Sequence, residues 1–220
     1  VNSGSVEKEL LEKYGGPTPD ALAASAIKNA RLLEKFDFND IVISIKSSDV
    51  RNTYAANIEV AKMCDYPLHL GVTEAGTELS SAIKSSAALG GLLLAGIGDT
   101  VRISITGDPV REVVCAKELL KSLGLKKGGV TFVSCPTCGR TKIDLVALAN
   151  AVEQKLCGCD KTIKVAVMGC VVNGPGEARE ADIGVAGGDG CGVIFRKGKI
   201  IKKVTEERLL PELLSEVDKL

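Results

Sequence analysis

The residues best suited to chemistry are thiols. A short β-branched run, GVTFVS from Gly129, ends in a Cys-Pro-Thr-Cys turn that carries Cys135 and Cys138. Cys-x-x-Cys spacing lets two sulfurs reach one metal ion or iron–sulfur cluster across a tight turn. A second strand-like run, KVAVMG from Lys164 to Gly169, ends the same way in Cys170. It passes at once into VVNGPGE, a turn-rich loop whose last residue is Glu177. Two strands that each deliver a cysteine, with Gly/Pro loops beyond them, can build a buried cluster. A structural zinc would need a fourth closed ligand, and Cys157, Cys159 or Cys191 could supply it. Cys157-Gly158-Cys159 follows an expected helix end and Cys191 lies in a glycine-rich loop, neither with a Cys-x-x-Cys partner. The spacing therefore favours iron–sulfur over zinc. Cys64 and Cys115 fall on expected helix faces and read as buried apolar residues.

The first half of the chain offers a different chemistry, cations and hydroxyls at strand ends. Lys46 closes DIVISIK, Glu74 lies just past the end of LHLGV, and Arg102 and Ser104 share one face of VRISIT by the period of two. His69, the only histidine, sits mid-strand. An arginine within an apolar strand is costly to bury unpaired. Its partner is either an anionic ligand or a structural carboxylate.

The elements that hold these residues alternate. Thr18-Pro19-Asp20 caps and opens a helix to about Glu34. A strand over 40–46 leads to a helix opened by Ser48-Asp49 and running through about Met63. A strand over 68–72 leads to a helix over 77–94. A strand over 101–106 leads to a helix capped by Asp108-Pro109 and running to about Leu123. Such alternation predicts parallel strands with helical crossovers. No G-x-G-x-x-G fingerprint opens any helix, which favours part of a (β/α)₈ barrel over a dinucleotide-binding sheet. After a linker at 125–129 the rhythm changes. The cysteine strand, a helix over 143–156 and the strand ending in Cys170 come first. Strands over 182–186, 193–196 and 199–204 follow, then an amphipathic helix from Glu206. The expected architecture is an α/β partial TIM barrel over 1–126, then an α+β cluster domain over 127–220.

The 220 residues carry 28 basic and 28 acidic side chains, so no general attraction to nucleic acid or anionic membrane is expected. With 45% hydrophobic but only 3% aromatic residues, the core must be built from Val, Ile, Leu and Ala. No apolar stretch is long enough for a membrane span and no leader is visible, which predicts a cytoplasmic protein with reduced thiols. The chain begins at Val1, and VNSGS reads as a strand entering a loop, so a fragment is expected.

SCPTCGR at 134–140, MGCVVNGPGEA at 168–178 and ADIGVAGG at 181–188 resemble the C-terminal domain of the hydroxymethylbutenyl diphosphate synthase family, also called GcpE or IspG. VNSGSVEKE, IKSSDV, LHLGVTEAG and GIGDTVRISITGDP are similar to the second half of that family's barrel. The resemblance implies a [4Fe–4S] cluster held by Cys135, Cys138, Cys170 and Glu177. It implies substrate contacts from Asn2, Lys46, His69, Arg102 and Ser104, and a proton-handling or orienting role for Glu74. The implied reaction is the two-electron reductive dehydroxylation of 2-C-methyl-D-erythritol 2,4-cyclodiphosphate to (E)-4-hydroxy-3-methylbut-2-enyl diphosphate, a step of non-mevalonate isoprenoid synthesis. A ferredoxin or flavodoxin would supply electrons, and the active site would form in a homodimer. A partial barrel leaves open strand edges, so the 220-residue chain alone is then expected to be poorly stable or inactive. The alternative from the residues alone is a zinc-stapled, non-catalytic scaffold.

Overall fold

The computed structural model describes residues 1–220. The chain divides into two compact units, Val1–Lys126 and Lys127–Leu220. No helix is long and apolar enough to cross a membrane.

In the first unit, α1 spans Lys8–Tyr14, α2 Pro19–Glu34, α3 Val50–Met63, α4 Glu78–Leu94 and α5 Pro109–Ser122. Strands β1 (His69–Gly71) and β2 (Thr100–Arg102) pair in parallel. Two single parallel bridges, Ile43 with Leu68 and Asn2 with Lys46, extend the set. Four extended stretches thus lie side by side in chain order, and helices follow each. Alternation decides which face is covered. Ile43, Ile45, Leu70, Val72 and Ile103 are buried in the apolar core shared with the helices. Val42, Ser44, Lys46, His69, Thr100 and Arg102 occupy the other face by the period of two. Side-chain oxygens of Thr18, Asp49 and Asp108 accept backbone N–H bonds at the starts of α2, α3 and α5, satisfying donors that a helix leaves orphaned.

The strands are shorter than the apolar runs predict. Over 40–46 the backbone divides its bonds between neighbours on both sides. Ile43 N–H donates to the Pro67 carbonyl and Lys46 N–H to the Val1 carbonyl, leaving isolated bridges instead of a ladder. Beyond Arg102 the backbone groups turn to side chains and a loop. Ile105 N–H donates to Glu112 at 2.9 Å, Thr106 N–H to the Gly76 carbonyl, and the Ser81 hydroxyl to the Ser104 carbonyl. The stretch read as 101–106 therefore ends as a strand at Arg102.

The second unit is a five-stranded sheet of order β3-β4-β5-β6-β7. Its strands are β3 Val130–Ser134, β4 Ile163–Met168, β5 Ile183–Gly187, β6 Cys191–Arg196 and β7 Lys199–Thr205. The first three run parallel, β6 pairs antiparallel with β5, and β7 pairs antiparallel with β6. Helices α6 (Leu145–Leu156) and α8 (Leu209–Asp218) pack on the face carrying Val165, Val167, Ile183, Val185 and Ile194. The opposite face carries Ala166, Met168, Ala186 and Phe195, and it meets Ala178 and Ala181 from the segment that follows the four-residue helix α7 (Gly174–Glu177). Gly184 is required there. A Cβ on it would lie 2.4 Å from Phe195 Cζ and 2.9 Å from the Ala166 carbonyl oxygen.

Candidate functional site: a cationic strand row and a thiol-bearing sheet end

In the first unit, register sets the candidate residues at one level. Asn2 bridges Lys46, and Gly71 pairs with Arg102. Continuing the Ile43–Leu68 bridge by three residues sets Lys46 beside Gly71. Side-chain space agrees, since a Cβ on Gly71 would lie 3.0 Å from Lys46 Cε and 3.4 Å from its Nζ. The lysine stem lies over the strand where the side chain is missing. Asn2, Lys46, Gly71 and Arg102 thus form a row across four parallel stretches, with His69 two residues before Gly71 on the same face.

Helix α3 fixes the strand end that carries Lys46. Buried Thr53 donates to the Ser47 carbonyl and accepts the Ser47 N–H, both at 3.0 Å, and buried Asn57 donates to the Ile45 carbonyl at 3.2 Å. The row is electrostatically loaded. Partial burial, and then the Arg102 charge, push the Lys46 ammonium below its usual range. Burial, Lys46 and Arg102, in that order, push the His69 imidazole down as well. Mutual repulsion of this kind is relieved by an anion. Arg102 is 59% exposed, and its Nε lies 3.9 Å from Glu112 Oε2, at the outer limit of an ion pair. The carboxylate partner considered in the sequence reading is present, yet it leaves most of the guanidinium to solvent. His69 Nδ1 lies 2.8 Å from the Thr100 hydroxyl, its register partner in β2. Sequence reasoning passed over Thr100. The pairing of HLG with TVR at equal offset was the signal available for it.

Asn2 belongs to that row by its backbone, whereas its side chain and the remaining candidates are placed less directly. Asn2 Oδ1 accepts the Gly4 N–H at 3.0 Å, so its side chain already closes a local turn. Ser104 lies on the Arg102 face but beyond the end of β2. Glu74 is exposed in the loop after β1, with a φ of 52° in the left-handed region that side chains rarely adopt. A hollow of about 520 Å³ in this unit lies elsewhere, between α2 and the end of α3, at Ile27, Lys28, Leu32 and Met63.

In the second unit, Cys135 directly follows β3, and Cys170 lies two residues past β4, its parallel neighbour. Cys135 Sγ accepts the Gly169 N–H at 3.2 Å, which ties the two strand ends together through a sulfur. Cys138 is exposed. The Arg140 N–H and the Thr141 hydroxyl beside its sulfur hold its thiol below the ordinary range. Gly169 gives Thr141 its place, because a Cβ there would meet Thr141 Oγ1 at 2.7 Å. Glu177 ends α7, exposed, with Oε1 3.4 Å from Asn173 Nδ2. The Gly174 N–H donates to the Cys170 carbonyl, so the helix bearing Glu177 starts from the thiol strand itself. Because β6 returns antiparallel after β5, Cys191 also starts at this end of the sheet. Cys157 and Cys159 follow α6 and precede β4, at the opposite end.

Three thiols and a carboxylate fit an iron–sulfur cluster in kind, and a backbone N–H donated to sulfur is the bond such a centre uses to tune itself. The side chains do not converge as they stand. No three His, Cys, Asp or Glu side chains form a group that could hold a metal ion.

Comparison with known proteins covers the whole chain. Residues 1–117 match the family described as GcpE TIM-barrel domain, and residues 131–219 match the GcpE protein C-terminal domain. A relative from Clostridium perfringens, 4-hydroxy-3-methylbut-2-en-1-yl diphosphate synthase (flavodoxin), is 60% identical over 99% of this chain and 62% of its own length. Proteins of the same name from Caldanaerobacter subterraneus and Geobacillus kaustophilus are 60% and 54% identical over the full chain, which covers 62% and 59% of them. The chain therefore spans about three fifths of the relatives it matches. With both domain families matched in order and the strand row and thiol-bearing sheet end lying one in each, the chain belongs to the GcpE family.

Proposed function

We propose that this chain is the substrate-row and cluster-bearing portion of a 4-hydroxy-3-methylbut-2-en-1-yl diphosphate synthase. In this reading the first unit is the second part of a TIM barrel and the second is an α+β [4Fe–4S] domain. The whole protein reduces 2-C-methyl-D-erythritol 2,4-cyclodiphosphate, opening the ring and expelling the hydroxyl oxygen as water, to give (E)-4-hydroxy-3-methylbut-2-enyl diphosphate. The observation that carries the reading is the sulfur tie between the ends of β3 and β4, in a chain whose relatives bear that name.

Lys46 and Arg102 bind the diphosphate, an anion that relieves their mutual repulsion. His69 contacts the substrate from the same face, with Asn2 and Ser104 at the ends of the row. Glu74, directly past β1, orients the substrate or holds the proton given to the leaving oxygen. Cys135, Cys138, Cys170 and Glu177 would hold the [4Fe–4S] group. When bound, it supplies electrons one at a time from a flavodoxin- or ferredoxin-type donor. An oxygen ligand is more easily displaced from iron than a thiolate, so Glu177 is the ligand that can yield a coordination position. Activity requires the remainder of the barrel and a homodimer, so the 220-residue chain alone is inactive.

The test is anaerobic purification with iron, sulfide and zinc quantitation. About four irons and four sulfides per chain, lost in Cys170→Ala, support the reading. One tightly held zinc without sulfide overturns it in favour of a structural staple. Full-length protein is then assayed for reduction of the cyclic diphosphate, with Lys46→Ala and Arg102→Ala expected to raise KM.

A further inference from the structure

The sole imidazole of the chain is held on one side only. His69 and Thr100 are register partners in the parallel pair β1–β2, so their side chains stand next to each other on the face that carries Lys46 and Arg102. The Thr100 hydroxyl meets Nδ1 at 2.8 Å. The Ser44 hydroxyl donates to the His69 carbonyl at 3.1 Å, which fixes the backbone beneath the ring from the other neighbouring stretch. Asp99, the residue before Thr100, accepts the Leu68 N–H at 2.7 Å and so pins the start of β2 to the start of β1. Backbone and ring are thus restrained independently, and only Nε2 is left to meet a ligand.

We propose that Thr100 is a positioning residue for His69, engaging Nδ1 so that the imidazole presents Nε2 to an anionic ligand bound along the Lys46–Arg102 row. The inference rests on the functional reading of that row. To meet an anion the neutral ring carries its proton on Nε2, and the Thr100 hydroxyl then donates to the bare Nδ1, which favours that tautomer and one ring orientation. A valine in its place keeps the β-branched shape that suits a strand and removes the hydrogen bond. The charged groups around the ring are Lys46 and Arg102, the latter shared with Glu112 of α5. Both cations disfavour a proton on His69, and a phosphoryl group lying between them would favour one.

The single histidine makes the measurement unambiguous. Nitrogen-15 shifts of the imidazole are recorded in the 220-residue chain across pH, for the native sequence, Thr100→Val and Thr100→Ser, with and without inorganic pyrophosphate. The native chain and Thr100→Ser should show one dominant tautomer, and Thr100→Val a mixture. Pyrophosphate should shift the Nε2 resonance and raise the midpoint of the histidine titration. Its affinity should fall about 2- to 13-fold in Thr100→Val, the loss of one ordinary hydrogen bond, and recover in Thr100→Ser. Equal tautomer populations in all three chains overturn the proposal, as does pyrophosphate binding that leaves Nε2 unmoved. If the native chain binds no pyrophosphate, the row reading fails together with the ligand half of the inference. The tautomer comparison then still decides the Thr100–His69 half.

Discussion

Gly71→Ala tests whether the cationic row is a built site or a coincidence of strand ends. The added methyl would lie 3.0 Å from Lys46 Cε and 3.1 Å from the Arg102 carbonyl oxygen. The first contact is with a flexible stem, which yields by swinging away. The second is with backbone and must be absorbed as strain, about 1–3 kcal/mol for overpacking of this kind. Once displaced, Lys46 loses its charge-assisted contact to a phosphoryl group, worth about 1.5–3 kcal/mol. That corresponds to pyrophosphate binding weakened by about 10- to 150-fold. Lys46→Ala removes the same contact directly, so the double variant should bind no more weakly than Lys46→Ala alone. Isothermal titration with pyrophosphate at fixed ionic strength gives the affinities, and urea unfolding gives the strain separately. Native affinity in Gly71→Ala, or losses that simply add in the double variant, would show that Lys46 does not lie over Gly71 to meet an anion.

Gly184→Ala should destabilise the second unit by about 1–3 kcal/mol or more, because its Cβ would fall 2.4 Å from Phe195 Cζ in mid-sheet; a native urea midpoint would contradict this. Asp49→Ala removes the side chain that accepts the Asn52 N–H at the start of α3, and it should cost about 1 kcal/mol in urea unfolding. Glu216 is 8% exposed and its carboxyl is held to about 2 by Lys202 and Lys219, against an ordinary 4.5. Its stabilising contribution is therefore complete above about pH 4.5 and lost as pH falls from there toward 2. Glu216→Gln should flatten that limb of the acid-unfolding curve, and an unchanged limb would refute the assignment.

The sequence reading found most helices because their caps are written in side chains. Thr18-Pro19, Asp49 and Asp108-Pro109 mark three of the four starts at which a side-chain cap bond forms, the fourth being Asp144 before α6. It missed α1, a seven-residue helix whose Leu10, Leu11 and Tyr14 are only partly buried among charged neighbours, although Gly15 in the left-handed region marks its end. It missed α7, whose GPGE sequence reads as a turn and is helical for four residues only. It overextended the strands over 40–46 and 101–106, because alternation records which side chains are buried and not where backbone bonds go. At the row, residue types identified Lys46, His69 and Arg102 as candidates. The coincidence of Asn2, Lys46, Gly71 and Arg102 at one level needed the register, and the engagement of His69 by Thr100 needed the pairing of two strands about thirty residues apart. A glycine is silent in any search for chemistry, yet Gly71 makes the space that Lys46 uses.

The β3–β4 pairing also sets an order of events during folding. Cys135 and Cys138 belong to one turn and are neighbours as soon as that segment exists. Cys170 joins them only after α6 has carried the chain across and β4 has docked in parallel on β3. Long-range parallel pairing is slow, because loop closure precedes any contact that rewards it. With the ligand set proposed above, a chain stalled before that step offers iron only two of its three sulfurs. Iron content measured during refolding should thus rise with the β3–β4 ladder and not with the first turn. Substitutions in α6 or β4 that delay docking would then surface as cofactor deficiency in a protein whose ligands are all intact.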